Sequence, residues 1–404
     1  MNHLKKLEIF ATGAAVLLFA VFAVLFFSRW SPADQQTVGA PLSTARPVNE
    51  AEIGPLPTAS LKGTPTLLLP PPNDSAEVAW TASLFTAATG MAYGDVDGND
   101  RLFITSREKG IQVLSNTGDD LGTIEIIDPD TNQPVFVRDV VWSQLLWLGP
   151  PDYGLVVLTD PFENGSFLHV VDPDSGALLS SVEINNNIAI PSSTEFISTT
   201  VPTQLASAGN GELYTDRIYT FAPETPGEPA IAFHYLLRFL FDGKILNSLL
   251  LSEGPTDEMQ VNVVADLAYQ SSTEQLYAAT YFEGNGRIQT YDLIGTPHET
   301  ATLDEVPFDW QNAVALSTDQ QGQVYIFIGD PKLIYELGQD NLLTALYGFR
   351  DLTAEKDYPA VTHLLPGTTG IPMIMTVSPD GTMLFLIDQD QGRINLTAYA
   401  LNPQ

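Results

Sequence analysis

The chain contains no cysteine. Disulfide staples, thiolate nucleophiles and Cys-ligated zinc or iron–sulfur sites are therefore excluded. Basic residues are scarce: 17 Lys and Arg stand against 49 Asp and Glu in 404 residues, a formal net charge of −32. A surface of that sign repels phosphate backbones, so no nucleic-acid partner is expected. It attracts cations or basic partners and favours solubility. The histidines, His3, His169, His234, His298 and His363, include no pair at metal-ligand spacing. His169 and His234 fall in apolar strands and read as core residues. No Gly-x-Ser-x-Gly elbow and no phosphate-binding glycine loop occurs. The sequence thus names no catalytic residue and no organic cofactor.

What is present begins with an apolar run. Ile9 to Phe27 carries no charge, and at 1.5 Å per residue it spans about 29 Å, the thickness of a hydrocarbon core. Lys5 and Lys6 precede it; Arg29 and Trp30 follow. The pattern predicts a single-pass transmembrane helix over residues 1–30 with its tip in the cytoplasm, Trp30 at the interface, and the rest of the chain outside the cytoplasm at the cell membrane. A cleaved signal peptide is the alternative, but the run lacks a small-x-small site before Trp30. Residues 31–77 hold Pro32, Pro41, Pro47, Pro55, Pro57, Pro65 and Pro70-Pro71-Pro72 among Ser, Thr and Ala. Prolines remove backbone donors and favour extended chain, so this segment reads as a tether spanning about 40 Å.

From residue 78 to 404 the pattern is β. Apolar strands meet tight turns at intervals of roughly 50–60 residues, as repeat folds do. Gly94-Asp95-Val96-Asp97-Gly98-Asn99-Asp100 precedes Leu102-Phe103-Ile104; Ala208-Gly209-Asn210-Gly211 precedes Leu213-Tyr214. Gln320-Gln321-Gly322 precedes Val324-Tyr325-Ile326-Phe327, and Ser378-Pro379-Asp380-Gly381 precedes Met383-Leu384-Phe385. The expected fold is all-β, a six-bladed β-propeller. Its blades are expected near 90–126, 141–184, 204–251, 265–303, 313–347 and from 372 onward. The last blade supplies only three strands. An open ring leaves two sheet edges exposed, so Val78–Thr86 is expected to provide the missing outer strand. Asp340–Phe349 fits a short helix or an outer strand equally well.

Val377-Ser378-Pro379-Asp380-Gly381 before Met383-Leu384-Phe385-Leu386 resembles the turn-and-strand unit of bacterial YVTN-type and TolB-like propellers. Gln321-Gly322 before Tyr325-Ile326-Phe327-Ile328, with Leu337-Gly338 closing the blade, resembles NHL-type blades. The resemblance covers residues 78–401 and rests on structural turns. Such families include lactonases, quinoproteins and binding platforms, so it implies a fold and leaves the activity open.

Asp95, Asp97 and Asp100 have a spacing that suits a calcium ion, since hard cations collect oxygens on flexible turns. The EF-hand pattern fails, however: Gly98 falls at loop position four and Ser106 at twelve. A tight Asp-Gly turn explains the same residues. Long connections at 127–139, 185–203, 219–230, 252–264 and 350–371 all fall on one face of a propeller, with Asp128, Asp130, Asp139, Glu195, Glu224, Glu228, Glu253, Asp257, Glu258, Asp351 and Asp357. Long loops on a rigid scaffold carry function, so a protein or basic partner is expected on that face. The expected role is a binding or scaffold module. A hydrolase or lactonase with a divalent cation in the central channel is the alternative, and it requires several Asp, Glu or Asn side chains converging on the axis.

Overall fold

The computed structural model describes residues 76–401 apart from 85–86, 146–151, 185–195, 201, 210, 224–226, 256–262, 283–284, 293–296, 299–313, 330–331, 340–342, 351–360, 368–370 and 391–392. The expected anchor and nearly all of the tether lie outside the described residues. Among the described residues no helix is long and apolar enough to cross a membrane.

The first strand, β1 (Ala76–Leu84), belongs to the last blade. Blade one follows as β2 (Ala88–Val96), β3 (Asn99–Ser106), β4 (Gly110–Ser115) and β5 (Asp120–Ile124). A small hairpin, β6 (Ile127–Asp128) with β7 (Gln133–Pro134), leads to blade two: β8 (Val137–Gln144), β9 (Tyr153–Thr159), β10 (Leu168–Val171) and β11 (Leu178–Val182). In blade three the inner position is divided between β12 (Phe196–Thr199) and β13 (Ala206–Ser207). Both pair with β14 (Glu212–Phe221), which is followed by β15 (Ile231–Leu240) and β16 (Ile245–Pro255). Blade four is β17 (Val263–Gln270), β18 (Gln275–Phe282), β19 (Asn285–Tyr291) and β20 (Pro297–His298). Blade five is β21 (Val314–Thr318), β22 (Val324–Ile328), β23 (Leu333–Leu337) and β24 (Leu343–Phe349), with β25 (His363–Leu365) added outside it in parallel. Blade six is β26 (Ile371–Val377), β27 (Met383–Asp390) and β28 (Arg393–Leu401).

Ring closure is as the strand count requires. β1 runs antiparallel to β28, from Ala76 opposite Leu401 to Leu84 opposite Ile394. Both edges that an open ring would expose are consumed in this pair. Strand direction then fixes the faces. Each inner strand runs from the long-connection face to the short-turn face, so Ala76 and Leu401 meet at the short-turn face. The stretch that fitted helix or strand is β24. The parallel strand β25 falls within a segment expected to be connection alone.

The turns form where their residues demand. Asp97 (φ 53°) and Gly98 (φ 79°) are both left-handed, which is the two-residue hairpin turn whose twist matches its strands. At Ser378–Gly381 the Gly381 N–H donates to the Ser378 carbonyl at 2.8 Å, and Ser378 Oγ accepts the Met383 N–H at 2.9 Å.

Alternation with period two sends successive residues to opposite seams. Leu102 packs toward blade six and Phe103 toward blade two. The result is an apolar cluster in each of the seams between neighbouring blades. The largest, between blades two and three, joins Val156, Leu158 and Val170 to Phe221, Leu237, Phe239 and Phe241.

Candidate functional site: the channel and its carboxylates

The inner strands of all six blades enclose a channel of about 530 Å³. Among its described lining residues there is no Lys, Arg or His; the acids are Asp139, Asp266 and Asp319. The rest of the wall is small, apolar or hydroxyl-bearing, including Thr89, Gly90, Ala268, Ser317 and Thr376.

Asp139 and Asp266 occupy equivalent positions two blades apart. Each follows a β-bulge near the start of its inner strand, where the register shifts between Val137 and Asp139 and between Val264 and Asp266. A bulge re-aims the side chain that follows it. Asp139 Oδ1 accepts the N–H of Val140 at 2.8 Å, and Oδ2 accepts the N–H of Leu205, in blade three, at 2.7 Å. Asp266 repeats this with Leu267 at 2.8 Å and with Leu316, in blade five, at 2.7 Å. Each carboxylate therefore staples its blade to the next. A hydroxyl makes the same kind of link one seam on: Val377 N–H, in blade six, donates to Ser317 Oγ at 3.0 Å. Gly90 of blade one lies so close to Asp139 that a Cβ there would collide with the carboxylate and with Thr105. The glycine is needed for this close approach, since its φ is not left-handed.

The electrostatics follow from the setting. Burial pushes the Asp139 carboxyl well above the usual carboxylate range, and the charge of Asp266 pushes it further; the two backbone N–H groups act in the opposite sense. Burial raises Asp266 to about 7, again against two N–H donors. Desolvation disfavours the charged form, and no cationic side chain answers it here.

Both carboxylates lie toward the long-connection mouth. The other mouth is built differently. Tyr93, Trp142 and Tyr269 stand three residues past Gly90, Asp139 and Asp266. Each stacks on an aromatic of the preceding blade: Tyr93 on Phe385 at 5.5 Å, Trp142 on Phe103 at 5.8 Å and Tyr269 on Tyr214 at 5.6 Å between centroids. Asp319 sits at this mouth, accepting the Gln323 N–H at 2.9 Å and the Tyr325 hydroxyl at 3.3 Å.

Of the residues singled out in the sequence, Asp95, Asp97 and Asp100 lie together on the β2–β3 hairpin. Asp95 and Asp100 are cross-strand partners, and Asp97 is in the turn. Asn99 Nδ2 donates to the Val96 and Asp97 carbonyls at 3.4 and 3.3 Å. The arrangement has the geometry of a hairpin turn, and among the described residues no three acidic or histidine side chains converge as a metal shell would. On the long-connection face, Asp128 is buried and accepts the N–H groups of Asp130 and Glu163 at 2.9 and 3.0 Å. Asp130, Glu228 and Glu253 are exposed. Glu195, Glu224, Asp257, Glu258, Asp351 and Asp357 lie outside the described residues. His169 is fully buried between the hydroxyls of Thr159 (2.8 Å) and Ser181 (3.0 Å), and burial lowers its pKa to about 4. His234 is equally buried and meets Asp216 at 2.9 Å.

Asp266 was not among the residues that sequence reasoning picked out. A signal existed. Arg138-Asp139-Val140-Val141-Trp142 and Ala265-Asp266-Leu267-Ala268-Tyr269 share a pattern, and Thr89-Gly90-Met91-Ala92-Tyr93 shows it with glycine for aspartate.

No protein-family profile matches the chain, and no curated protein matches it. Among solved structures it is similar to a chain of the mitotic checkpoint complex (13% identity, 83% of this chain and 97% of that one, TM-score 0.44). It is likewise similar to a gluconolactonase from Xanthomonas campestris (12%, 80% and 89%, TM-score 0.42) and to hydrazine synthase from Kuenenia stuttgartiensis (12%, 76% and 94%, TM-score 0.44). These are likenesses of fold alone. The six-bladed propeller is defined by the chain's own sheets and by its strand-closed ring.

Proposed function

We propose that this protein is a binding or scaffold module: a propeller held outside the cytoplasm by the Ile9–Phe27 helix and its proline-rich tether, with a protein or basic partner engaging the long-connection face. One observation carries the choice of a module over an enzyme. The two carboxylates deepest at the long-connection mouth spend all four oxygens on backbone N–H groups, two of them across seams. Inward acids are thus used to build the ring. A reacting cation in the channel would need further donors on the same ring, and Asp319 stands at the other mouth with its own donors. The face around the Asp139 mouth is acidic and carries the longer connections, which suits a cationic surface. The first described strand starts at the rim of the opposite face, where Ala76 pairs with Leu401.

The test is a charge-reversal pair on the full-length chain. Asp130→Lys with Glu253→Lys, on the long-connection face, should abolish crosslinking to partners in the membrane fraction. Asp119→Lys with Asp174→Lys, on the short-turn face, should leave it unchanged. Equal effects would reject the assignment of the face. Cation-dependent lactone hydrolysis that disappears in Asp139→Asn and Asp266→Asn would favour the lactonase reading instead. Carbonate-resistant membrane association is expected; a soluble form starting near residue 30 would reject the anchor.

A further inference from the structure

We propose that β1 is a tension clasp: pulled from its Ala76 end by the tether while the head is held at its long-connection face, it is loaded in shear along β28, with Trp80 as the catch. The inference rests on the anchor and partner proposed above and gives the joint between them a mechanical role.

Topology sets the direction of the load. The chain that precedes Ala76 joins the described fold through β1, the strand that closes the ring. β1 and β28 are antiparallel, so their N-terminal ends lie at opposite ends of the pair. Ala76 faces Leu401 at the short-turn face, and Leu84 faces Ile394 at the long-connection face. A head held at its long-connection face is held at the Ile394 end of β28, because the connection from β27 to β28 lies there. A pull between Ala76 and that end runs along the pair. Ladder hydrogen bonds lie across the strands, so all the paired positions from Ala76 to Leu84 resist together. A pull between Ala76 and the chain beyond Leu401 would instead open the pair one position at a time.

Packing resists the slide. Ala76 is buried with Tyr399 and Leu401, while Trp80, Ala82 and Leu84 cover Phe385 and Leu396. A slip of one residue would exchange the two sides of the strand. The register shifts at a bulge between Val78 and Trp80, and a bulge re-aims the side chain beside it. Trp80 Nε1 donates to the Asn116 carbonyl, in the β4–β5 turn of blade one, at 2.7 Å. The indole also lies against Gly118, where a Cβ would collide with it, and 6.0 Å from the Phe385 ring of blade six between centroids. Trp80 is therefore seated on both blades that flank the closure. Sliding must pull the indole from this seat at once, whereas peeling from the Ala76 end parts Ala76, Glu77 and Val78 before Trp80 is reached.

The experiment is single-molecule pulling of the full-length chain in detergent micelles. The sequence has no cysteine, so two introduced thiols define the handles without ambiguity. Glu77→Cys with Arg393→Cys, both at exposed positions, loads the pair in shear. Glu77→Cys with Gln404→Cys loads the same pair as a zipper. The first rupture, which releases β1, should need several-fold more force in shear. Trp80→Phe keeps a ring but removes the indole N–H; it should lower the shear force and leave the zipper force unchanged. Equal first-rupture forces in the two geometries would overturn the proposal without any core variant, and so would a shear force that Trp80→Phe does not move. Failure of the rupture test alone rejects the clasp and leaves the tether standing. Loss of membrane association in carbonate rejects the tethered reading, and with it the load on β1, whatever the rupture forces are.

Discussion

Asp139 in the channel and Asp172 in a surface turn are the same residue in nearly the same hydrogen-bonding situation. Asp139 accepts two backbone N–H groups; Asp172 accepts those of Asp174 and Ser175 and the Ser175 hydroxyl. Their protons are nonetheless held with opposite strength. Asp172 is half-buried in a surface turn. Burial pulls its carboxyl up, but the donors from Ser175 and Asp174 together outweigh it and leave the carboxyl below the usual range. Asp380 behaves as Asp172 does; Asp128 is buried, which raises its carboxyl, but donors from Glu163, Asp130 and Thr131 outweigh that and hold it below the usual range. At Asp139 burial is deeper and a second carboxylate faces the same channel, so the donors lose. The charge state follows from the balance of donors, three at Asp172 against two at Asp139, with desolvation and neighbouring charge.

The largest expected effect removes the element on which both regions depend. Deleting residues 76–84 exposes the β28 edge and strips the apolar cover that Trp80, Ala82 and Leu84 provide over Phe385 and Leu396. The variant should lose cooperative unfolding in calorimetry and aggregate. A cooperative transition within a few degrees of the wild type would show that the ring does not need strand closure.

Next comes a direct contrast between staples. Asp139→Ala orphans two buried N–H groups, at about 1–3 kcal/mol each, so roughly 3 kcal/mol in total is expected. Ser317→Ala orphans one and should cost about 1 kcal/mol. Urea unfolding at pH 6 measures both. Similar losses would mean that the carboxylate staples have no special weight.

The pH dependence separates the regions without mutation. Asp128, Asp172 and Asp380 have depressed folded-state values. Their contribution is present above the ordinary carboxylate value of 3.8 and is lost as pH falls through their lower folded-state range. Asp266, raised from 3.8 to about 7, contributes in the opposite sense: its share is complete at low pH and is lost as pH rises through about 7. Stability should therefore peak near pH 4, falling below it through the depressed groups and declining above it up to about pH 7. Asp172→Asn should soften only the acid limb, and Asp266→Asn only the alkaline one.

The smallest effect concerns the blade-one hairpin. Asp97→Asn keeps a residue that tolerates the left-handed conformation, so stability should change by less than about 0.5 kcal/mol. If Asp95, Asp97 and Asp100 hold calcium, micromolar calcium should raise the wild-type melting temperature and the variant should lose that rise. If they form a turn alone, sodium chloride at equal ionic strength should match calcium in both proteins.

Much of the architecture was legible along the chain. Turn chemistry at Asp97-Gly98 and Ser378–Gly381, alternation along β3, β22 and β27, and the strand missing from the last blade identify the propeller and its closure. These are local signals: a left-handed φ needs particular residues, and a half-buried strand needs period two. The split inner position of blade three and the parallel strand β25 were not legible. Neither has a distinctive local pattern, and each is held by contacts distant in sequence.

The sequence by itself determined the acidic surface, the absence of thiol chemistry, the blade count and the pairing of the two ends, because composition, turn residues and the need to cover sheet edges act locally or by count. Only the tertiary structure decided the state of the carboxylates. Asp139 and Asp172 look alike in the chain. One is brought against Gly90, Leu205 and the field of Asp266 in a channel whose described lining has no Lys, Arg or His, and the other stays half-buried in a surface turn. Desolvation and charge–charge coupling depend on neighbours in space, so ring closure makes one carboxyl a buried staple between blades, pushed upward by burial and Asp266, and leaves the other a turn carboxyl held below the usual range.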